Sequence, residues 1–193
     1  MTTLPTFAPS LSLQSGPAGR AVAQPMDAAL LDGLQQHLSM ERQAQAAYFA
    51  IAIWFAERDL RGFSQFFMAE SAEEQTHAAR FADYLIARGQ SVQLQGLEAP
   101  RQSWSSPEEI LELTFQMEAD VTTSLQQLYG LAERCADVRT TTFLDPIVEN
   151  QLASENTLAH LLGRVRFAQN QPAALLILDA EMAAGRQDPA PLA

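Results

Sequence analysis

The stretch FSQFFMAESAEEQTHAARFADYL, Phe63–Leu85, decides the fold. Its apolar positions step as Phe63, Phe66 and Phe67, then Phe81, Tyr84 and Leu85, the spacing of one face of a helix with about 3.6 residues per turn. Continued through the gap, the stripe lands on Glu70, Glu74 and His77. Polar groups therefore stand where the pattern asks for core residues. Glu74 and His77 are about one turn apart on the same face, so this Glu-x-x-His pair is aimed at whatever the helix packs against.

Working outward, four further helices are expected. The first runs from about Met26 to Ala56, with Asp27 as its cap, because a short acidic side chain bonds the free amides of a first turn. Its stripe is Leu34, Leu38, Glu41, Gln45, Tyr48, Ala52 and Phe55, the alternating four-and-three spacing of a bundle seam. Glu41 and Gln45 interrupt it. Gln45 is neutral and reads as a hydrogen-bonded neighbour, not a ligand. Arg61-Gly62 reads as a tight break, so the second helix, ending near Gly89, should return antiparallel. Residues 90–106 then form a connection long enough to run the length of a bundle and start the third helix at the far end. Ser105 or Ser106 before Pro107-Glu-Glu supplies a cap, a first-turn proline and acids at the positive end of that helix.

The third helix is expected over about Pro107 to Glu133, with the stripe Leu111, Thr114, Glu118, Val121, Leu125, Leu128 and Ala132, in which Glu118 is the odd member. The fourth is expected over about Thr140 to Ala168, with the stripe Leu144, Val148, Gln151, Glu155, Leu158, Leu162 and Val165. Pro146 should kink it or mark its first regular turn. A short fifth helix, Pro172 to Ala184, follows a break at Asn170-Gln-Pro. The expected architecture is all-α: residues 1–25 as a flexible N-terminal arm, 26–184 as a four-helix bundle with one long crossover and a short fifth C-terminal helix, and 185–193 as a tail.

Composition narrows the function classes. The 193 residues suit one domain and the 47% hydrophobic content a sizeable core. A net charge of −11 argues against nucleic acid as a partner and for dissolved cations. The single Cys135 excludes an internal disulfide and a thiolate cluster, and fits a reducing, cytoplasmic setting. The longest apolar run, Ala46 to Ala56, is too short to span a membrane. The first 25 residues lack the basic start and apolar centre of a secretion signal.

Each of the four seams thus carries a polar interruption: Glu41/Gln45, Glu70/Glu74/His77, Glu118, and Gln151/Glu155. A lone seam glutamate reads equally well as a hydrogen-bonded core group. Four together do not, because no Lys or Arg occupies any of the four seams. Removing a charge from water costs several kcal/mol even after relaxation. Protonation relieves one or two carboxylates, whereas two divalent cations relieve all of them. Carboxylate oxygens with one imidazole and no thiolate suit iron or manganese. Glu74 lies between Glu41 and His77 in the layer and would bridge two ions. Glu41 and Glu118 would each serve one, and His77 would complete the first. Glu-x-x-His motifs projecting into a bundle are a recurring ligand source in di-iron carboxylate proteins.

Over about Met26 to Ala168 the chain resembles the ferritins, in Glu41, Tyr48 one heptad later, the run Glu73-Glu74-x-x-His77, Glu118 and Gln151. The resemblance implies a ferritin-like bundle in a 24-subunit shell. It implies a ferroxidase centre on Glu41, Glu74, His77 and Glu118, taking two Fe(II) per chain, oxidising them with O2 or H2O2 and storing Fe(III) oxide. It further implies that Gln151 orients water or oxygen and that Tyr48 hydrogen-bonds the centre and supplies an electron. Departures are informative. A second Glu-x-x-His is replaced by Gln151-x-x-Ser154, which leaves the second ion loosely held. Gln75 stands where bacterioferritins place a haem-ligating Met, so haem is not expected. Thr76 and Ala79 stand where ferritins often carry mineral-nucleating carboxylates beyond Glu73.

Glu155 remains an accessory ligand candidate, four residues after Gln151. Asp145 and Glu149 correspond to the region lining three-fold channels and would pass iron inward, with Glu70 as relay; a solvated acidic face is the plain alternative. His37 and His160 read as surface groups. The run Leu175-Leu-Ile-Leu178 is apolar on nearly every side, which marks an interface, by resemblance one around four-fold axes. The rival function is a di-iron or dimanganese oxidase or oxygenase acting on another substrate, which would need a substrate pocket and usually the second Glu-x-x-His.

Overall fold

The computed structural model describes residues 14–169 and 171–185. It contains five helices: α1 (Ala28–Ala56), α2 (Arg61–Ala87), α3 (Pro107–Arg134), α4 (Val138–Phe167) and α5 (Pro172–Ala183). Asp27 caps α1, accepting from the amides of Ala29 at 2.9 Å and Leu30 at 3.3 Å. Ser106 caps α3 by accepting from the amide of Glu109 at 3.2 Å, and the Glu109 carboxylate in turn accepts from the amide and hydroxyl of Ser105. Pro146 lies inside α4, which starts at Val138 under an Asp137 cap and continues past it.

The α1–α2 reversal differs from the expectation. The chain turns at residues 57–60, with Asp59 at φ 57°, a left-handed conformation that a short polar side chain tolerates. Arg61 and Gly62 already belong to α2. Gly62 answers a different need: a Cβ there would lie 1.9 Å from the carbonyl oxygen of Asp179 on α5. The Asp179 side chain accepts from the amide of Phe63 at 2.9 Å, so α5 supplies the cap that Leu60 cannot.

The long connection runs along α1. Gln35 donates to the Ser91 carbonyl at 2.8 Å and accepts from the Gln93 amide at 3.0 Å. Gln43 repeats the pattern on the carbonyl and amide of Glu98, at 3.0 Å each. Two glutamine side chains thus satisfy backbone groups of an extended segment that no sheet completes. The segment ends in Trp104, buried against Trp54 near the far end of α1. This is the one-crossover bundle.

Before α1, residues 14–22 form a small turn with an antiparallel bridge between Ser15 and Ala21, and Arg20 donates to the Ile86 carbonyl at 3.0 Å. The arm expected over 1–25 is otherwise outside the described residues for 1–13, as are Asn170 and the tail from 186 onward. On α4 the buried stripe passes through Ile147, not Val148, which is 40% exposed. Helix α5 buries Leu175, Leu178 and Met182 on the bundle while Leu176 and Ile177 stay about 60% exposed. Among the described residues no helix is long and apolar enough to cross a membrane.

The core is in two parts. One apolar cluster gathers Phe55, Phe63, Phe67, Leu111, Leu158 and their neighbours. The other gathers Leu34, Leu38, Phe81, Leu85, Leu125 and Leu144. The polar seam residues lie between them.

Candidate metal centre

Between the two apolar clusters, α1 contributes Glu41 and Tyr48, α2 contributes Glu74 and His77, α3 contributes Glu118 and α4 contributes Gln151. Glu41, Glu74, Glu118, Tyr48 and Gln151 are buried, and His77 is half-buried. One ligand atom each from Glu41, Glu74 and His77 lie within 4.8 Å of one another. His77 Nδ1 is 3.2 Å from a Glu74 oxygen, and its Nε2 is 3.6 Å from Glu73. Glu118, on α3, is not part of that trio. Tyr48 donates its hydroxyl to one Glu118 oxygen, and Gln151 Nε2 donates to the other at 2.7 Å.

The electrostatics are those of crowded buried acids. Burial pushes Glu41 and Glu118 above the usual carboxylate range and Glu74 up to about 7. Half-buried Glu70 is pushed up to about 8, by burial first and then by Glu73, Glu118 and Glu74. His77 is raised, chiefly by its bond to Glu74. Glu41 Oε2 is buried without a hydrogen-bond partner, a costly state for a carboxylate oxygen. A bound cation removes that cost and lets the carboxylates ionise together, so the donor set fits a divalent ion of intermediate hardness.

The remaining candidates lie outside this cluster. Glu73 is exposed on α2, and with Glu70 it lines a cavity of about 590 Å³ shared with Asn150, Ser154 and Met182. Glu155, one turn beyond Gln151, accepts from the Thr122 hydroxyl across the α3–α4 contact. Asp145 and Glu149 are exposed; Asp145 accepts from the Tyr129 hydroxyl at 3.0 Å. Gln45 lines a groove with Arg42 and Gln75. His160 is exposed as expected.

His37 is a correction. It is fully buried, with Nε2 2.9 Å from Glu41 Oε1 and Nδ1 2.8 Å from Ser124 Oγ. Burial lowers its pKa to about 4, so it is neutral. The sequence did hold a signal: His37 is one turn before Glu41, so it flanks the seam on the α3 side.

A bundle with one crossover and a mid-length layer of facing carboxylates and imidazole defines a carboxylate metal protein. The comparisons narrow this. The family model of the ferritin-like domain matches residues 31–168. A bacterial non-heme ferritin of Staphylococcus saprophyticus is 31% identical over 65% of this chain and 75% of its own. The chloroplastic ferritin-2 of Zea mays is 31% identical over 72% of this chain, which spans 58% of that protein. The crystal structure of an open pore ferritin from Archaeoglobus fulgidus superposes with a TM-score of 0.80 at 27% identity, covering 83% of this chain and 98% of that one. The chain belongs to the ferritin family, and iron storage is the function that membership carries.

Proposed function

We propose that this chain is the subunit of a cytoplasmic 24-subunit iron-storage shell and that its mid-bundle layer is a ferroxidase centre for two Fe(II) substrate ions. The observation that carries the reading is the convergence of Glu41, Glu74 and His77, buried, with ligand atoms within 4.8 Å of one another. Glu41 and His77 hold one Fe(II), Glu118 the other, and Glu74 lies between them. Fe(II) binding displaces the proton that Glu74 retains near neutral pH. Two Fe(II) then give two electrons, and with two protons O2 becomes H2O2; H2O2 serves equally as oxidant.

The hydrogen bonds of Tyr48 and Gln151 fix the rotation of Glu118, and Tyr48 stands close enough to supply a further electron. Glu70 and Glu73 line the cavity beside the centre and relay iron. Asp145 and Glu149, repeated around a three-fold axis, concentrate negative potential at a channel mouth. The outward Leu176 and Ile177 cover one another around a four-fold axis. Gln75 leaves haem without a ligand at the family's haem position.

The test loads the metal-free protein with Fe(II) under anaerobic conditions, adds oxygen and follows ferric absorbance. Wild type should show a rapid phase. Glu74→Ala should lose it, by on the order of 100-fold or more, as expected for loss of a metal ligand at the reacting centre. A wild-type rate in that variant would contradict the assignment.

A further inference from the structure

We propose that His37 is a positioning residue for Glu41, holding that carboxylate so that Oε2 faces the metal. The proposal rests on the reading of Glu41 as a ligand. Nothing in the Glu-x-x-His pattern calls for an imidazole here. Yet His37 is 0% exposed, and burying a polar ring without purpose costs stability.

Two contacts fix it and a third atom is brought beside Glu41. Nδ1 lies 2.8 Å from Ser124 Oγ on α3. The ring packs on Phe81 of α2, centroids 4.4 Å apart. Nε2 lies 2.9 Å from Glu41 Oε1, one turn along α1. A neutral imidazole carries one N–H. Once Glu41 is ionised, as a metal ligand must be, its oxygens only accept, so the proton belongs on Nε2 and Nδ1 accepts from the Ser124 hydroxyl. The hydrogen direction then runs from Ser124 to His37 and leaves the Nε2 proton 2.9 Å from Oε1, near that oxygen but not yet bonded to it.

Two buried atoms nearby remain unsatisfied: His37 Nε2, close to Oε1 but not aligned with it, and Glu41 Oε2. One event resolves both. A cation on Oε2 satisfies that oxygen and sets the carboxylate's rotation, and Oε1 is kept against the Nε2 proton. Groups that orient a ligand in this way raise metal affinity about 10–100-fold. His37 acts through Glu41 and supplies no donor of its own to the Glu41, Glu74 and His77 cluster.

Anaerobic titration of the assembled, metal-free protein with Co(II), followed by visible absorption, tests this. His37→Ala should weaken Co(II) binding at least about tenfold while leaving the bound absorption band in place, because the donor set is unchanged. His37→Gln should restore affinity to within about threefold, since its amide N–H can donate to Oε1. Ser124→Ala should show a smaller, several-fold loss. The proposal is overturned if His37→Ala binds within about twofold of wild type. It is equally overturned if the band shifts and Gln fails to restore affinity, which would make His37 a ligand. Should His37→Ala not assemble, Ser124→Ala carries the test: a several-fold loss supports the proposal, and an unchanged curve overturns it. Glu41→Ala separates the two readings. If it binds Co(II) like wild type, the centre itself is misassigned and this proposal falls with it. If it loses binding while His37→Ala does not, only the role of His37 fails.

Discussion

The bundle buries carboxylates in two contrasting ways. At one end, Asp137 pairs with Arg88 through two bonds of 2.7 and 2.9 Å, and Tyr84 and Thr140 accept further bonds from the same guanidinium. Burial alone would raise Asp137, but the bonds from Arg88 and Thr140 outweigh it and hold the carboxyl below its ordinary range. At mid-length, Glu41, Glu74 and Glu118 are all raised by burial, and the side chains that bond them there are Tyr48, Gln151, His77 and, between Glu41 and Glu74, one another. A buried charge paired within the chain is structural. The mid-length acids have His77 beside Glu74 but no Arg or Lys bonded to them among the described residues, which is the arrangement a cation from solution would complete.

Breaking the structural pair should have the largest effect on folding. Arg88→Met strands Asp137 and should cost about 3–5 kcal/mol, read as a lower denaturation midpoint. At the centre the sign reverses. Glu74→Gln in metal-free protein at pH 8 should stabilise by on the order of 1–2 kcal/mol, because it removes an acid whose charged form burial opposes. The pH dependence separates the regions further. Glu74 is raised from 4.5 to about 7, so the unfolded chain releases its proton first as pH rises. Stability is full below about 4.5 and falls until about 7. The gain from Glu74→Gln should shrink accordingly toward pH 5. Asp137 is lowered, so its contribution is present above its unfolded value of 3.8 and is lost as pH falls through the folded value. Thermal melts of the two variants across pH 3–8 would show these opposite slopes.

Two substitutions should have smaller effects. Gln151→Glu adds a negative donor beside Glu118 and should tighten the second Fe(II) several-fold in anaerobic titration; an unchanged affinity would remove Gln151 from the site. Asp145→Ala should slow the rapid oxidation phase about twofold to threefold at low iron and less at high iron, since it affects attraction and not chemistry. Kinetics equal to wild type at every iron level would leave Asp145 and Glu149 as a solvated face.

Much of this was legible in the sequence because a seam is periodic. Glu41, Glu74, His77, Glu118 and Gln151 all interrupt apolar stripes, and all five meet at mid-bundle. What periodicity cannot rank was missed. His37 sits beside the seam, where burial depends on how closely α3 approaches. Ile147 and Val148 are both apolar, and only packing selects one. Glu155 fitted the same stripe, but its hydroxyl partner Thr122 lies on another helix. Arg88 and Asp137 are 49 residues apart at helix ends, where charges are ordinary. The turn at Asp59 was hidden by Gly62, whose small size serves the approach of α5.

If the mid-bundle acids are reserved for metal, the metal-free protein should take up Fe(II) there. Anaerobic titration of the metal-free protein with Fe(II), read by calorimetry near pH 7, measures this uptake. Saturable binding of about two Fe(II) per chain is expected, as facing bundle carboxylates hold in di-iron sites, with proton release on binding, and at most one in Glu74→Ala. Absence of saturable binding in the wild type, or the same stoichiometry and affinity in Glu74→Ala, would contradict it.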